Sequence, residues 1–116
     1  MFNVVIIGGE FTDNYEKFQE KCIFYLKSKA EKGERIRIFT TGDAFVKMFA
    51  ERFGINTKTF NCQWEIYGKE SYKYRNNEIL KDANAVIYFD TGKKDLAALY
   101  KYAHSKKIPV KYIKLD

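Results

Sequence analysis

Two uninterrupted apolar runs, Val4-Val5-Ile6-Ile7 and Ala85-Val86-Ile87-Tyr88-Phe89, constrain this chain more than any other feature. A strand with one face in water alternates polar and apolar residues, so runs like these belong to a sheet covered on both sides. Around them, shorter apolar segments alternate with longer stretches of helical period, which is how stacked βαβ units read. The 116 residues suffice for one core and not two. The chain therefore reads as α/β: a single three-layer Rossmann-like domain around a five-stranded parallel sheet.

Local signals place the elements. Strands are expected over residues 2–7, 36–39, 57–60, 85–89 and 110–113. Asp13 with Glu16 forms a capping box for a first helix that turns Tyr15, Phe18, Cys22, Tyr25 and Leu26 inward and ends near Gly33. Gly42-Asp43 opens a second helix with Phe45, Met48, Phe49 and Phe53 on its apolar stripe, and Gly54 stops it. A third helix spans residues 71–82. The last starts at Lys93 or Lys94, runs to Lys107 and turns Leu96, Leu99, Tyr100 and Ala103 inward. Residues 61–70 show no period, and their length exceeds the ~2–6 residues usual between strand and helix, so they read as a long functional loop. Central strands are the most apolar, whereas edges tolerate polar residues and lysine. The two apolar runs then pair at the centre, and the strand order is 3-2-1-4-5.

That order opens a crevice beyond the carboxyl ends of strands one and four, where ligands favour binding. Gly8, Gly9 and Glu10 reach it from the first strand, and Asp90, Thr91 and Gly92 from the fourth. Gly42, Asp43 and the opening turns of the third helix, with Arg75 and Asn76, border the same rim. Free amides at such helix starts suit phosphate. Each candidate also has a plainer reading. Gly8-Gly9 fits a structural turn as well as a ligand contact. Arg75-Asn76-Asn77-Glu78 either grips an anion in bidentate fashion or forms a solvated face. Trp64 stacks on a base or, the better account for a lone tryptophan, plugs a hydrophobic gap. Asp43 and Asp90 are ribose ligands or bases on one reading, but capping explains Asp43 better.

Charge and composition narrow the partners. Lys and Arg number 21 against 15 Asp and Glu, a net charge of +6 that suits an anionic partner. Lys93, Lys94, Lys101, Lys106, Lys107, Lys111 and Lys114 crowd the last quarter beside Tyr100 and Tyr102. A nucleic-acid footprint there competes with a solvated helix face and a protected edge strand, which explain the lysines better. No apolar run approaches the ~18 residues that span a bilayer, so a cytoplasmic protein without membrane contact is expected. Cys22 and Cys62 lack C-x-x-C spacing and His104 is the one histidine, which predicts free thiols and no metal. Near the end of the last helix, His104 reads as a surface residue, and Cys62 has no base close in sequence to activate it. Neither G-x-G-x-x-G after strand one nor G-x-x-x-x-G-K-[ST] occurs, which sets aside dinucleotide dehydrogenases and P-loop NTPases, and no cofactor is expected. Ten Phe and nine Tyr leave room for a homo-oligomer.

The order and spacing of Ile7-Gly8-Gly9 with Phe11 and Asp13, Gly42-Asp43, Trp64, Gly68-Lys69, Tyr74-Arg75-Asn76 and Phe89-Asp90-Thr91-Gly92 carry a family likeness. The chain resembles the YspA-like, YpsA-related branch of the SLOG superfamily, whose relatives include the LOG phosphoribohydrolases, the DNA-processing protein DprA and sensor domains for nucleotide-derived signals. The resemblance implies a Rossmann-like sheet binding a nucleotide or NAD-derived ligand. It further implies that Gly8 and Gly9 meet the ligand's phosphate or sugar, that Gly42-Asp43 borders the pocket, and that Arg75-Asn76 grips it. Glu10 stands where the family pattern usually has an arginine, and the P-G-G-x-G-T of the LOG enzymes is absent. A ligand-binding module is therefore the first expectation. An N-glycosidic hydrolase or transferase drawing on Glu10, Asp43, Glu78 or Asp90 is the second, and single-stranded nucleic-acid binding the third.

Overall fold

The apolar runs pair as their composition demands. In the computed structural model, which describes residues 1–12, 14–90 and 94–114, β1 (Phe2–Ile7), β2 (Ile36–Thr40), β3 (Asn56–Thr59), β4 (Ala85–Asp90) and β5 (Val110–Lys114) form one all-parallel sheet. Its order is β3-β2-β1-β4-β5, the expected one. The register of β1 on β4 runs from Val4 beside Ala85 to Ile7 beside Tyr88. At the edges, all four residues of β3 are exposed, and β5 carries Lys111 and Lys114 in the open.

Successive side chains of a strand point to opposite faces, so each central strand feeds two cores. Val4 and Ile6 pack with Phe18, Leu26 and Phe49 from α1 (Tyr15–Glu31) and α2 (Ala44–Phe53). The alternate residues, Val5 and Ile7, pack with Ile79, Leu80 and Leu99 from α4 (Ser71–Lys81) and α5 (Lys94–Ser105). Helices thus cover both faces of the sheet in the three-layer, Rossmann-like arrangement. Val4, Val5, Ile6 and Ile7 are wholly inaccessible, and burial of each such side chain stabilises by about 1.5–3 kcal/mol. Among the described residues no helix is long and apolar enough to cross a membrane.

Four expectations need correction. The cap of α1 is Asn14, whose Oδ1 accepts from the Lys17 N–H at 2.8 Å; the carboxamide sits one position nearer the first turn than Asp13, which lies outside the described residues. On α2 the buried residues are Val46, Phe49 and Ala50, while Met48 and Phe53 are exposed. At about 100° per residue Met48 falls on the far side from Val46, and Phe53, the last helical residue, overhangs an open cleft at the amino end of the sheet. Residues 61–70 are not irregular: they hold α3 (Trp64–Tyr67) and a 3₁₀ turn (Gly68–Glu70). One turn of helix is too short to display a period. Finally, α5 ends at Ser105 rather than Lys107, and Lys107 takes a positive φ of 61° that is incompatible with continuing the helix.

Candidate functional site

The turn after β1 is held by its own chain. Gly8 has a φ of +79°, in the left-handed region that favours glycine. Gly9 is glycine for want of space: a Cβ there would stand 2.3 Å from Phe18 Cε2 and 3.1 Å from Asp43 Oδ2. Asp43 caps α2, its Oδ1 accepting from the N–H groups of Phe45 and Val46 at 2.9 and 3.3 Å, while Oδ2 accepts from the Glu10 N–H at 3.0 Å. Burial pushes the Asp43 carboxyl above its usual range, although those three donors oppose the shift. Glu10 Oε2 accepts from the Ala44 N–H at 3.5 Å. The amino end of α2, which in principle attracts an anion, already has two carboxylates.

Across the switch point, Asp90 is similarly engaged. The hydroxyl of Tyr88 donates to its Oδ1 at 3.3 Å, and that of Tyr112 donates to its Oδ2. Burial and the nearby Asp90 carboxylate push the Tyr88 phenol up to about 12, and the hydrogen bond to Asp90 raises Tyr112. Tyr100 stacks on Tyr88 at 4.9 Å and closes the cluster from α5. Thr91 and Gly92, the other two candidates from this strand, lie outside the described residues.

Arg75 and Asn76 belong to a different hollow. Both face inward on α4, 8% and 7% exposed, because they precede Ile79 and Leu80 by one helical turn and share their stripe. The solvated-face reading of this cluster therefore fails for both. Arg75 Nε donates to Asn76 Oδ1 at 3.0 Å, and the guanidinium lies over the Tyr72 ring at 5.4 Å. Its Nη2 is buried without a hydrogen-bond partner. Arg75 lines a cavity of about 350 Å³ with Lys58, Phe60, Tyr67, Tyr74 and Glu78. Residues at the end of β3 and the start of α4 build these walls, which places the cavity at the carboxyl end of the sheet. It opens beside β3, however, and its lining includes none of Gly8, Gly9, Glu10, Gly42, Asp43 or Asp90. The structure thus separates the candidate residues into three groups instead of gathering them in one crevice.

Trp64 is not a plug: it is 51% exposed and meets Tyr72 edge-on at 4.9 Å. One turn of α3 cannot reach the core, so its large residues stay outside. Sequence reasoning missed Lys58, Tyr67 and Ser71, which line the same cavity as Arg75. The signal for Lys58 was available, since it is registered beside the core residue Phe39 and shares that face of the sheet. His104 is exposed, and both cysteines are free. In the lysine-rich quarter Lys106 and Lys111 lie over the rings of Tyr102 and Tyr25, and Lys101, Lys106, Lys107, Lys111 and Lys114 are exposed, as a solvated face requires. Larger clefts of about 580 and 510 Å³ open at the amino end of the sheet on either side of α1, and among the described residues no buried unpartnered polar group lines either.

Comparison with protein-family models, with curated proteins and with solved structures gave no match.

Proposed function

We propose that this protein is a ligand-binding module that holds a nucleotide or nucleotide-derived anion at the carboxyl end of its sheet, with Arg75 as the anchor and Asn76 fixing the guanidinium's orientation. The observation that carries the reading is Arg75 Nη2, buried and without an acceptor beside an open cavity. Burying a charge costs heavily unless it is paired and hydrogen-bonded. Among the described residues no carboxylate lies within ion-pair distance of Arg75, and an anion in the cavity would supply the missing acceptor. Resemblance to the SLOG superfamily supports a nucleotide as the anion's carrier. In this reading Gly8, Gly9, Glu10, Gly42, Asp43, Trp64 and Asp90, none of which lines the cavity, do not hold the ligand. A cytoplasmic location, without membrane contact or cofactor, belongs to the same reading.

The test is thermal stabilisation by a nucleotide panel, since a ligand selective for the folded form stabilises it by RT ln(1 + [L]/Kd). Wild type should be stabilised, and Arg75→Met should lose the effect. A hydrolase is the second reading, because Glu78 brings a carboxylate to the walls that Arg75 lines. Asp43 and Asp90, two other carboxylates at this end of the sheet, already accept hydrogen bonds from their own chain. Release of free base from a nucleoside or nucleotide panel, lost in Glu78→Gln, would favour this second reading.

A further inference from the structure

The cavity beside β3 has a wall that anion binding alone leaves without a role. Tyr67 from α3 and Tyr74 from α4 stack with ring centroids 3.9 Å apart and an interplanar angle of 18°. Both line the cavity, and they are 38% and 46% exposed. Two stacked rings cover one face of each, and the surface they leave exposed on the cavity wall is aromatic, which suits a flat ring. Such platforms accept any nucleobase, because every base has a π-face. A second cation joins Arg75 on the same walls: Lys58, whose Nζ lies over the Phe60 ring at 5.1 Å. Glu78 contributes one negative charge there, which disfavours a long polyphosphate tail. The volume of about 350 Å³ lies near the bottom of the ~300–1,000 Å³ spanned by small-molecule sites.

One aromatic platform, one short run of cations and a small volume suit one ring and one phosphate. We propose, resting on the nucleotide reading above, that the ligand is a single nucleoside monophosphate, its base on the Tyr67–Tyr74 pair and its phosphate against Arg75 and Lys58. A dinucleotide engages by one half only, leaving the other in solvent.

Titration calorimetry on the full chain with 5′-AMP, ribose 5-phosphate, adenosine and NAD tests this. The monophosphate should bind at least tenfold more tightly than ribose 5-phosphate, which lacks the ring, and than adenosine, which lacks the anion. NAD should gain nothing over it. Tyr74→Ala and Tyr67→Ala remove half-exposed rings. Each should weaken AMP about tenfold while leaving the ribose 5-phosphate affinity unchanged, and unaltered circular dichroism melting would show that each variant still folds. If ribose 5-phosphate matches AMP, if NAD binds tenfold more tightly, or if both alanine variants retain full AMP affinity, the proposal is overturned although the nucleotide reading stands. If none of the four compounds binds, that reading falls, and the proposal with it.

Discussion

The turn after β1 and the cavity beside β3 occupy the same end of the sheet, yet their polar groups meet different fates. In the turn, both oxygens of Asp43 accept from backbone N–H groups, Glu10 reaches Ala44, and the Gly9 carbonyl accepts from the N–H and hydroxyl of Thr12. In the cavity, a guanidinium with five donors is buried with Asn76 as its side-chain partner and one terminal nitrogen unmet. The first region explains its own residues through packing and capping. The second keeps a charge where packing alone would place an aliphatic side chain. Polar residues gathered at a strand end therefore do not by themselves mark a site. What sets Arg75 apart is an unmet charged donor on a cavity wall, whereas the Tyr15 hydroxyl and Gln19 Oε1, also buried without a partner, line none of the three cavities described.

The largest expected effect comes from forcing open the closed region. Gly9→Ala drives a methyl group into Phe18 and toward Asp43, and overpacking of this kind costs about 1–3 kcal/mol; urea denaturation should show the midpoint falling with an unchanged slope. Asp43→Ala should follow at about 1–2 kcal/mol, the cost of an N-cap. If either variant abolishes nucleotide binding without destabilising the fold, the contrast between the regions is wrong.

A smaller effect separates the charge of Asp43 from its capping role. Its carboxyl is raised by burial, so the folded state holds the proton more tightly than the unfolded state does. The stability that follows is fully present below the unfolded value and is lost as pH rises through the folded one. The stability of wild type relative to Asp43→Asn should therefore decline as pH rises above the ordinary carboxylate range, measured by urea denaturation at each pH. A relative stability that grows over the same rise would show that the backbone donors, not burial, govern this group. Least of all, Trp64→Ala should change stability by less than about 0.5 kcal/mol, as expected of a half-exposed side chain. Because the chain has one tryptophan, fluorescence excited selectively in the indole band reports that ring alone, and emission at the wavelength of a solvent-exposed indole checks its exposure.

Legibility in the sequence tracked how far each feature depends on local pattern. Val4 to Ile7 and the β4 run declared a sheet covered on both faces, and the lysines of β5 declared an edge, because burial of whole strands shows directly in composition. Asp43 was readable as a cap from its position before Ala44. The cap of α1 moved to Asn14 because adjacent Asp and Asn offer equivalent oxygens, and backbone geometry decides between them. Burial of Arg75 could have been read by stepping four residues back from Ile79 along the helical stripe; its charge concealed that. The partnership of Arg75 with Lys58 and Tyr67 could not be read at all, since it depends on how the one-turn α3 folds β3 back toward α4.

The central claim is that the buried charge at position 75 is kept for a ligand and not for the fold. Replacing Arg75 by Met and measuring thermal unfolding with and without 5′-AMP tests it most directly. The unliganded variant should be as stable as wild type or more so, because a well-packed apolar side chain often improves on a poorly partnered buried charge, while stabilisation by AMP disappears. A variant that loses stability yet responds to AMP as wild type does would show that Arg75 serves the fold and that the ligand binds elsewhere.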